Sequence, residues 1–563
     1  MDYKKMTKEE LLNYIEECEM NSGKYGLIWD KEKDSERIVV DCDKNIPILK
    51  EENSKEISKK GCKNILIEGD NFHALSVLNY THNENIDMIY IDPPYNTGNK
   101  DFIYNDKFVD LEDGYRHSKW LNFMQKRLRL ARNLLKEDGI IFVSIDENEF
   151  AQLKLLCDKI FNENNLVAIF NWKKTSTPPS LSKNVRKKYE YILCYKKCDF
   201  NRGLNGGEVE GGDMPLLNES NSLATLEFDK ESVYFKIPDG TYVAGEKDRV
   251  VLEKTINIVN GKSDKNIILK GHFKWIKSTL DEEISKGTKF WIKSDKFAIR
   301  YQREGIRTKV PSNIISKEEC EVGTNEEATA ELKKLFNTKS EVFSHPKPTS
   351  LIKYLVDMVT YNNKEAIILD FFAGSGTTAQ AVLELNKADG GNRKFIICTN
   401  NENNICENIT YPRIKTVISG IRNDGTKYSD GLEASLKYFK TDFVENFANR
   451  DQLYFDLTER CIPMLCMKND CYCEYKVTNE YKIYSNQDKS LFTCVYFDMF
   501  GDKEKEFIEE IKNIDQLKKV YKFSLGDIID ETLFTGVKNY QIEAIPYKII
   551  ELYKQLIKLS KGD

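Results

Sequence analysis

The sequence predicts an α/β protein, a sheet of buried strands with helices on its faces, interrupted by a domain of different texture. Two observations point to the sheet. Over 61–200 and again over 341–425, short apolar runs alternate with stretches of helical period, as in strands covered on both sides. The third observation marks the interruption. Between 201 and 340 that rhythm gives way to Gly/Asn/Ser-rich stretches and short strand-like pieces such as SVYFKI and KFAIRY.

Residues 7–20 open with a capping box, Thr7 with Glu10, and continue with Leu11, Leu12, Tyr14, Ile15 and Cys18, which predicts an amphipathic helix. A polar linker over 50–63 leads to the strand NILIE (64–68), which ends at Gly69-Asp70-Asn71 before the helical run FHALSVLNY. The strand IDMIYI (86–91) ends in Asp92-Pro93-Pro94-Tyr95. A basic helix over about 117–136, the turn Glu137-Asp138-Gly139, the strand IIFVSI, a helix over 147–161 and strands near 166–172 and 189–195 complete this half. After the interruption come an amphipathic helix (349–361), the strand AIILDFF, a glycine turn, the helix TTAQAVLELN and the strand KFIICTN. The last 130 or so residues read as mixed α+β. These boundaries divide the chain into an N-terminal helical segment (1–60), a first α/β half (61–200), an inserted domain (201–340), a second α/β half (341–425) and a C-terminal domain (426–563).

Composition narrows the function classes. Hydrophobic residues make up 40% of the 563, enough for packed cores and against a disordered chain. No apolar run approaches the ~20 residues of a membrane span, and the N-terminus lacks the apolar core of a signal peptide. Fourteen irregularly spaced cysteines then predict reduced thiols and a cytoplasmic protein. Cys461, Cys466, Cys471 and Cys473 cluster without paired CxxC knuckles, so they read as packing thiols and no metal is expected. Net charge is −6, yet bases cluster locally. Seven Lys/Arg and no acid lie in 116–136, eight with the lone acid Glu190 in 172–197, and thirteen against six acids in 262–309, the last interleaved with aromatics. Together they point to a polyanion.

Two motifs carry chemistry. The strand ending at Asp370 runs into Phe372-Ala373-Gly374-Ser375-Gly376-Thr377, where glycines admit a close ligand and a helix N-terminus favours negative charge. No lysine follows the second glycine, which excludes a P-loop, and Ala373 and Thr377 exclude a nucleophile elbow. The dinucleotide pattern GxGxxG/A is met, so on this motif alone a nicotinamide cofactor stays open. In Asp92-Pro93-Pro94-Tyr95 two prolines hold rigid carbonyls at a strand end beside a carboxylate and a ring. That set can accept both hydrogens of an amino group and stack a planar base.

LIEGDNFHALSVL, IYIDPPYNTG and LDFFAGSGTTAQAV, with YNTGNKDFIYNDKF, FSHPKPTSLIKYLV, GGNRKFII and KYGLIWD, resemble the beta class of DNA amino-methyltransferases. Within it they look like the modification subunit of type III restriction systems. The resemblance covers about 60–200 and 340–420. It implies a Rossmann-like S-adenosylmethionine-dependent methyltransferase sheet, with the target-recognition domain as the insertion and a C-terminal α+β domain for dimerisation or partner docking. It further implies adenine-N6 methylation of double-stranded DNA by base flipping, a homodimer, and a restriction subunit as partner. By the same resemblance Asp92, Pro93, Pro94 and Tyr95 are catalytic. Asp70, Asn71, Lys347, Asp370, Phe372, Ala373, Gly374, Ser375, Gly376, Thr377 and Glu402 hold the cofactor, and Phe170 or Trp172 is a second stacking partner. The rivals are a cytosine-N4 or RNA methyltransferase and a DNA-specificity subunit with a vestigial transferase site.

Overall fold

The computed structural model describes residues 29, 36–59, 63–98, 101–104, 107–177, 184–210, 212–303, 306–445 and 450–561. The helix expected over 7–20, and KYGLIWD apart from Trp29, lie outside them. The chain forms two compact units, one of the residues up to Gly203 and from Ser312 onward, the other Leu204–Pro311. Among the described residues no helix is long and apolar enough to cross a membrane.

The first unit is built on ten strands: β1 Ile46–Glu51, β2 Lys63–Glu68, β3 Ile86–Ile91, β4 Leu135–Ile145, β5 Leu166–Lys173, β6 Tyr189–Lys196, β7 Ile314–Ile315, β8 Ile367–Asp370, β9 Lys394–Thr399 and β10 Ser435–Val444. Their order is β1-β10-β2-β9-β8-β3-β4-β6-β5-β7. From β10 to β4 every pair is parallel, whereas β6 runs against both β4 and β5 and β1 runs against β10. All six residues of β3 are buried, Asp87 included. Its carboxylate accepts from Lys136 Nζ (2.9 Å), Asn363 Nδ2 (3.0 Å) and the Ile367 amide (2.8 Å), so the one charge inside β3 ties it to β8.

After β8 the chain crosses to β9 on one side, and after β3 it crosses to β4 on the other. The direction of winding therefore reverses between β8 and β3, where an open sheet leaves a crevice at its carboxyl ends.

Three expected boundaries are corrected. Residues 312–340 belong to the first unit, because Ile314 and Ile315 pair with Asn171 and Trp172 of β5, and the Trp172 indole donates to the Gly323 carbonyl at 3.1 Å. Before 60, β1 is a strand of the main sheet rather than part of a helical segment. Beyond 426, β10 inserts between β1 and β2 through its long register with both. The rest of the C-terminal region is α+β, with a five-stranded sheet over 473–546, but it is part of the first unit. Tyr553 donates to the Pro47 carbonyl (2.8 Å) and Tyr80 to Glu543 (2.6 Å). Of the clustered cysteines, Cys461, Cys466 and Cys471 are buried with burial raising their thiols, and Cys473 is exposed.

The second unit has its own apolar core, in which Phe228, Phe273, Phe290, Phe297 and Ile299 are buried. Two of its small sheets have four strands each.

Candidate active site

The crevice between β3 and β8 gathers side chains from four separate stretches. Asp92 follows β3, and Tyr95 donates its hydroxyl to Asp92 Oδ1 at 2.8 Å. Lys347 immediately precedes the Pro348 cap of the helix Thr349–Thr360. Its Nζ lies 3.0 Å from Asp92 Oδ2, 3.0 Å from Tyr95 Oη and 3.3 Å from Glu190 Oε2. Glu190, near the start of β6, takes Lys174 on its other oxygen at 3.1 Å. The Lys347 side chain is only 7% exposed. Burial alone would lower its pKa, but Asp92 and Glu190 carry it above the ordinary lysine range, so it stays charged. Burial opposes ionisation of Glu190, and Lys347 with Lys174 hold it below the ordinary carboxylate range. Burial, then Asp92 and Glu190, push the Tyr95 phenol well up, so it remains a donor. Two carboxylates and two ammonium groups thus form a balanced cluster.

The loop carrying Tyr95 is fixed from behind. The Trp120 indole donates to the Pro94 carbonyl at 2.7 Å. Asn96 turns with φ +57° and donates to Glu149 Oε1 at 2.6 Å, and Glu149 also meets His117 Nδ1 at 2.6 Å. Burial pushes the Glu149 carboxyl up to about 8, against Asn96 and Arg116, which hold it down.

On β8, Asp370 is spent inside the turn that follows it. It accepts the Phe372 amide (3.0 Å) and the Thr378 hydroxyl (2.5 Å). Burial, with Asp92 adding to it, raises its carboxyl to about 7 against those two bonds. Gly374 and Gly376 have φ of +48° and +79°, and a Cβ on Gly376 would sit 3.1 Å from Thr410 Cγ2. The Ala373 amide bonds the Cys398 carbonyl, joining the turn to β9. Arg413, fully buried, clamps it from outside by donating to Ser375 Oγ (3.0 Å), Thr377 Oγ1 (2.8 Å) and Gln380 Oε1 (2.8 Å). At the end of β2, Asp70 caps the helix Asn71–Thr81, and the Asn71 amide donates to the Phe371 carbonyl at 3.1 Å. Arg127 joins this edge, 3.6 Å from Asp70 and 3.0 Å from Glu36.

The structure therefore brings together Asp92, Pro93, Pro94, Tyr95 and Lys347, with the turn Asp370–Thr377 and Asp70-Asn71 at neighbouring strand ends. Glu402 lies exposed in the turn after β9, the strand between β2 and β8. Phe170 and Trp172 are both buried; Phe170 packs on Phe142, and Lys347 Nζ stands 5.6 Å from the Trp172 ring. Sequence reasoning missed Glu190, Arg413 and Glu149 as site components. Glu190 did leave a signal, as the only acid in the basic run 172–197. The other two left none.

Each linear basic cluster is partly neutralised in space. In 116–136, Lys119 pairs with Asp113, Lys136 with Asp87, and Lys126 and Arg127 with Glu36. In 172–197, Lys173, Lys174, Lys187 and Lys197 pair with Glu318, Glu190, Glu147 and Glu84.

A family model described as DNA methylase matches residues 86–411. The chain is 33% identical over 450 residues to the Mod subunit of the type III restriction-modification enzyme EcoPI of Escherichia phage P1, covering 70% of this chain and 67% of that one. It is 33% identical over 364 residues to the StyLTI Mod subunit of Salmonella typhimurium, covering 60% of this chain and 53% of that one, about half its length. To the type II methyltransferase M.KpnI of Klebsiella pneumoniae it is 31% identical over 402 residues, covering 67% of this chain and 90% of that one.

Proposed function

Because the chain belongs to the DNA methylase family, we propose that it transfers a methyl group from S-adenosylmethionine to adenine N6 in a short sequence of double-stranded DNA, as the modification subunit of a type III restriction-modification system. The observation that carries this reading is the Asp92–Tyr95–Lys347–Glu190 cluster beside the glycine turn. A carboxylate next to rigid proline carbonyls is the acceptor set an amino group needs, and the adjacent ring suits a base.

S-adenosylmethionine carries a sulfonium, an α-amino group and a carboxylate, and the residues present fit it. Gly374 and Gly376 leave main chain uncovered, Phe372 is half-buried at the turn, the Asp70 side chain is 37% exposed, and Lys347 supplies a cation. When bound, the cofactor supplies an electrophilic methyl group. Asp370, Asn71 and Arg413 shape its turn, with their polar atoms already engaged there.

The protein's own residues do the rest by positioning. A carboxylate offers about four lone-pair directions, and Tyr95 and Lys347 use two of those on Asp92. The remaining directions, with the Pro93 carbonyl, receive the hydrogens of the exocyclic amine and turn its lone pair toward the methyl. Tyr95, its hydroxyl pinned by Asp92, stacks on a base flipped out at a cost of a few kcal/mol. Glu190 holds Lys347 in place. Orientation and fixed charge supply most of the rate.

In this reading the chain works in the cytoplasm as a homodimer beside a restriction subunit. The test is incubation of the purified chain with labelled S-adenosylmethionine and duplex DNA, followed by nucleoside analysis. N6-methyladenine is the expected product; N4-methylcytosine, or label entering RNA in preference to DNA, overturns the reading.

A further inference from the structure

Behind the catalytic loop one carboxylate oxygen joins two elements. Glu149 Oε1 accepts from Asn96 Nδ2 and from His117 Nδ1, each at 2.6 Å, while Oε2 makes no hydrogen bond among the described residues. The Glu149 side chain is fully buried, whereas that of His117 is 38% exposed. The neighbouring residue sets the His117 tautomer. Arg116 Nε, always a donor, gives its hydrogen to His117 Nε2 at 3.2 Å, so the ring's own hydrogen sits on Nδ1 and points to Glu149. Burial and then the Arg116 charge hold the imidazole below the ordinary histidine range, which keeps it neutral. Gln152 Nε2 stands 3.3 Å from the same Nδ1, and a half-turn of that amide presents its oxygen to the N–H.

The helix Arg116–Leu134 holds Tyr95 on both flanks. Trp120 donates to the carbonyl of Pro94, the residue before it. Asn96, the residue after it, donates to the Arg116 carbonyl at 3.3 Å as well as to Glu149. Asn96 is buried and has φ +57°, a left-handed conformation uncommon outside glycine.

We propose that His117 and Glu149 form a positioning pair for methyl transfer, anchoring Asn96 and through it setting the Tyr95 ring against the flipped base. The inference rests on the methyl-transferring reading above. A buried acid, a carboxylate oxygen without a hydrogen bond and a left-handed asparagine are each unfavourable for folding, and all three meet at the loop that carries Tyr95. An apolar residue at 149 would fill the same space without those costs. It would not hold Asn96 by a short bond, and the backbone on the far side of the Tyr95 ring would lose its anchor. The pair acts through Asn96 rather than on the reacting atoms. Because His117 is partly exposed, it can be truncated without opening the core.

The test uses the full chain, a duplex carrying its methylation site, and the same duplex with 2-aminopurine in place of the target adenine. His117→Ala is expected to lower kcat roughly 10-fold, an effect of misplacement, with S-adenosylmethionine affinity, KM for the duplex and melting temperature near wild type. The 2-aminopurine complex is expected to be brighter with His117→Ala than with wild type, because a base no longer stacked squarely on Tyr95 is less quenched. His117→Asn, whose amide nitrogen can take the place of Nδ1, is expected to recover part of the rate, as is free imidazole added to His117→Ala. Wild-type kcat and emission in His117→Ala overturn the proposal. So does a loss of rate that follows a loss of melting temperature and that neither His117→Asn nor imidazole restores. Nitrogen-15 spectra of the histidine-labelled chain read the pair without DNA. Hydrogen on Nδ1 and a bare Nε2 at neutral pH are expected; the other tautomer, or a doubly protonated ring, overturns the pair even in an active enzyme. The expected tautomer in a wild type that methylates no DNA overturns the function but not the pair.

Discussion

Lys347 Nζ stands 3.0 Å from Asp92 Oδ2, a buried ammonium against the carboxylate that ends β3. The same nitrogen reaches Glu190, so one cation serves two acids. Removing it leaves two carboxylates with Lys174 as their one remaining ion-pair partner beside the neutral Tyr95 hydroxyl. Breaking a buried pair by deleting one member costs about 3–5 kcal/mol. Lys347→Met is therefore expected to lower stability by an amount in that range, read by denaturant unfolding, and to abolish methylation. A stable, active Lys347→Met protein contradicts this account of the cluster.

Glu190 acts through Lys347, so its loss should change the ionisation of the site more than its shape. Lys347 is held above its ordinary pKa in part by Glu190. Glu190→Gln removes that support, and the alkaline limb of the activity–pH profile is expected to move to lower pH. The rate should fall by roughly 10–100-fold, an effect of positioning size, and Glu190→Asp should recover part of it. An unshifted profile assigns Glu190 a structural role only.

Gly376 sits at φ +79°, where a side chain would also press on Thr410. Gly376→Ala is expected to cost about 1–2 kcal/mol of stability from the backbone alone. Cofactor affinity should fall by more than that stability loss explains, because the turn must shift. Calorimetric titration with S-adenosylmethionine, beside thermal melting, separates the two effects.

Glu149 gives a pH dependence with a definite sign. Its folded pKa is raised to about 8, above the ordinary glutamate value near ~4.3. The folded state therefore binds more protons than the unfolded one between those values, and stability falls as pH rises through that window. Glu149→Gln keeps donors and acceptors for Asn96 and His117 but cannot ionise. It is expected to flatten the decline, gaining on the order of 3 kcal/mol relative to wild type at pH 9 against pH 5. Parallel declines in the two proteins would falsify the assignment.

Where local physics dominates, the chain was legible. NILIE, IDMIYI, AIILD and KFIICT are strands because consecutive apolar residues suit a sheet covered on both faces, and the observed limits of β3 match those expected. Asp92, Tyr95 and the glycine turn stand out in the sequence because each carries its proposed chemistry in a few adjacent residues. The long-range pairings were not legible. Glu149 looks like any helix-start acid, yet folding buries it against Asn96 and His117. Lysines that form a basic run in sequence face acids from distant segments, as Lys197 does Glu84 and Lys173 does Glu318. β7 and β10 escaped assignment to the main sheet because two isoleucines and the sequence SLKYFKTDFV carry no sign of which sheet will accept them.

The central claim is that Asp92 directs methyl transfer to adenine N6. It is tested most directly by single-molecule sequencing of DNA from a methylation-free host expressing the wild-type chain or Asp92→Ala. The account predicts N6-methyladenine at one short asymmetric motif with wild type and none with the variant. Unmodified DNA from wild type, a different modified base, or the same methylation from Asp92→Ala would contradict it.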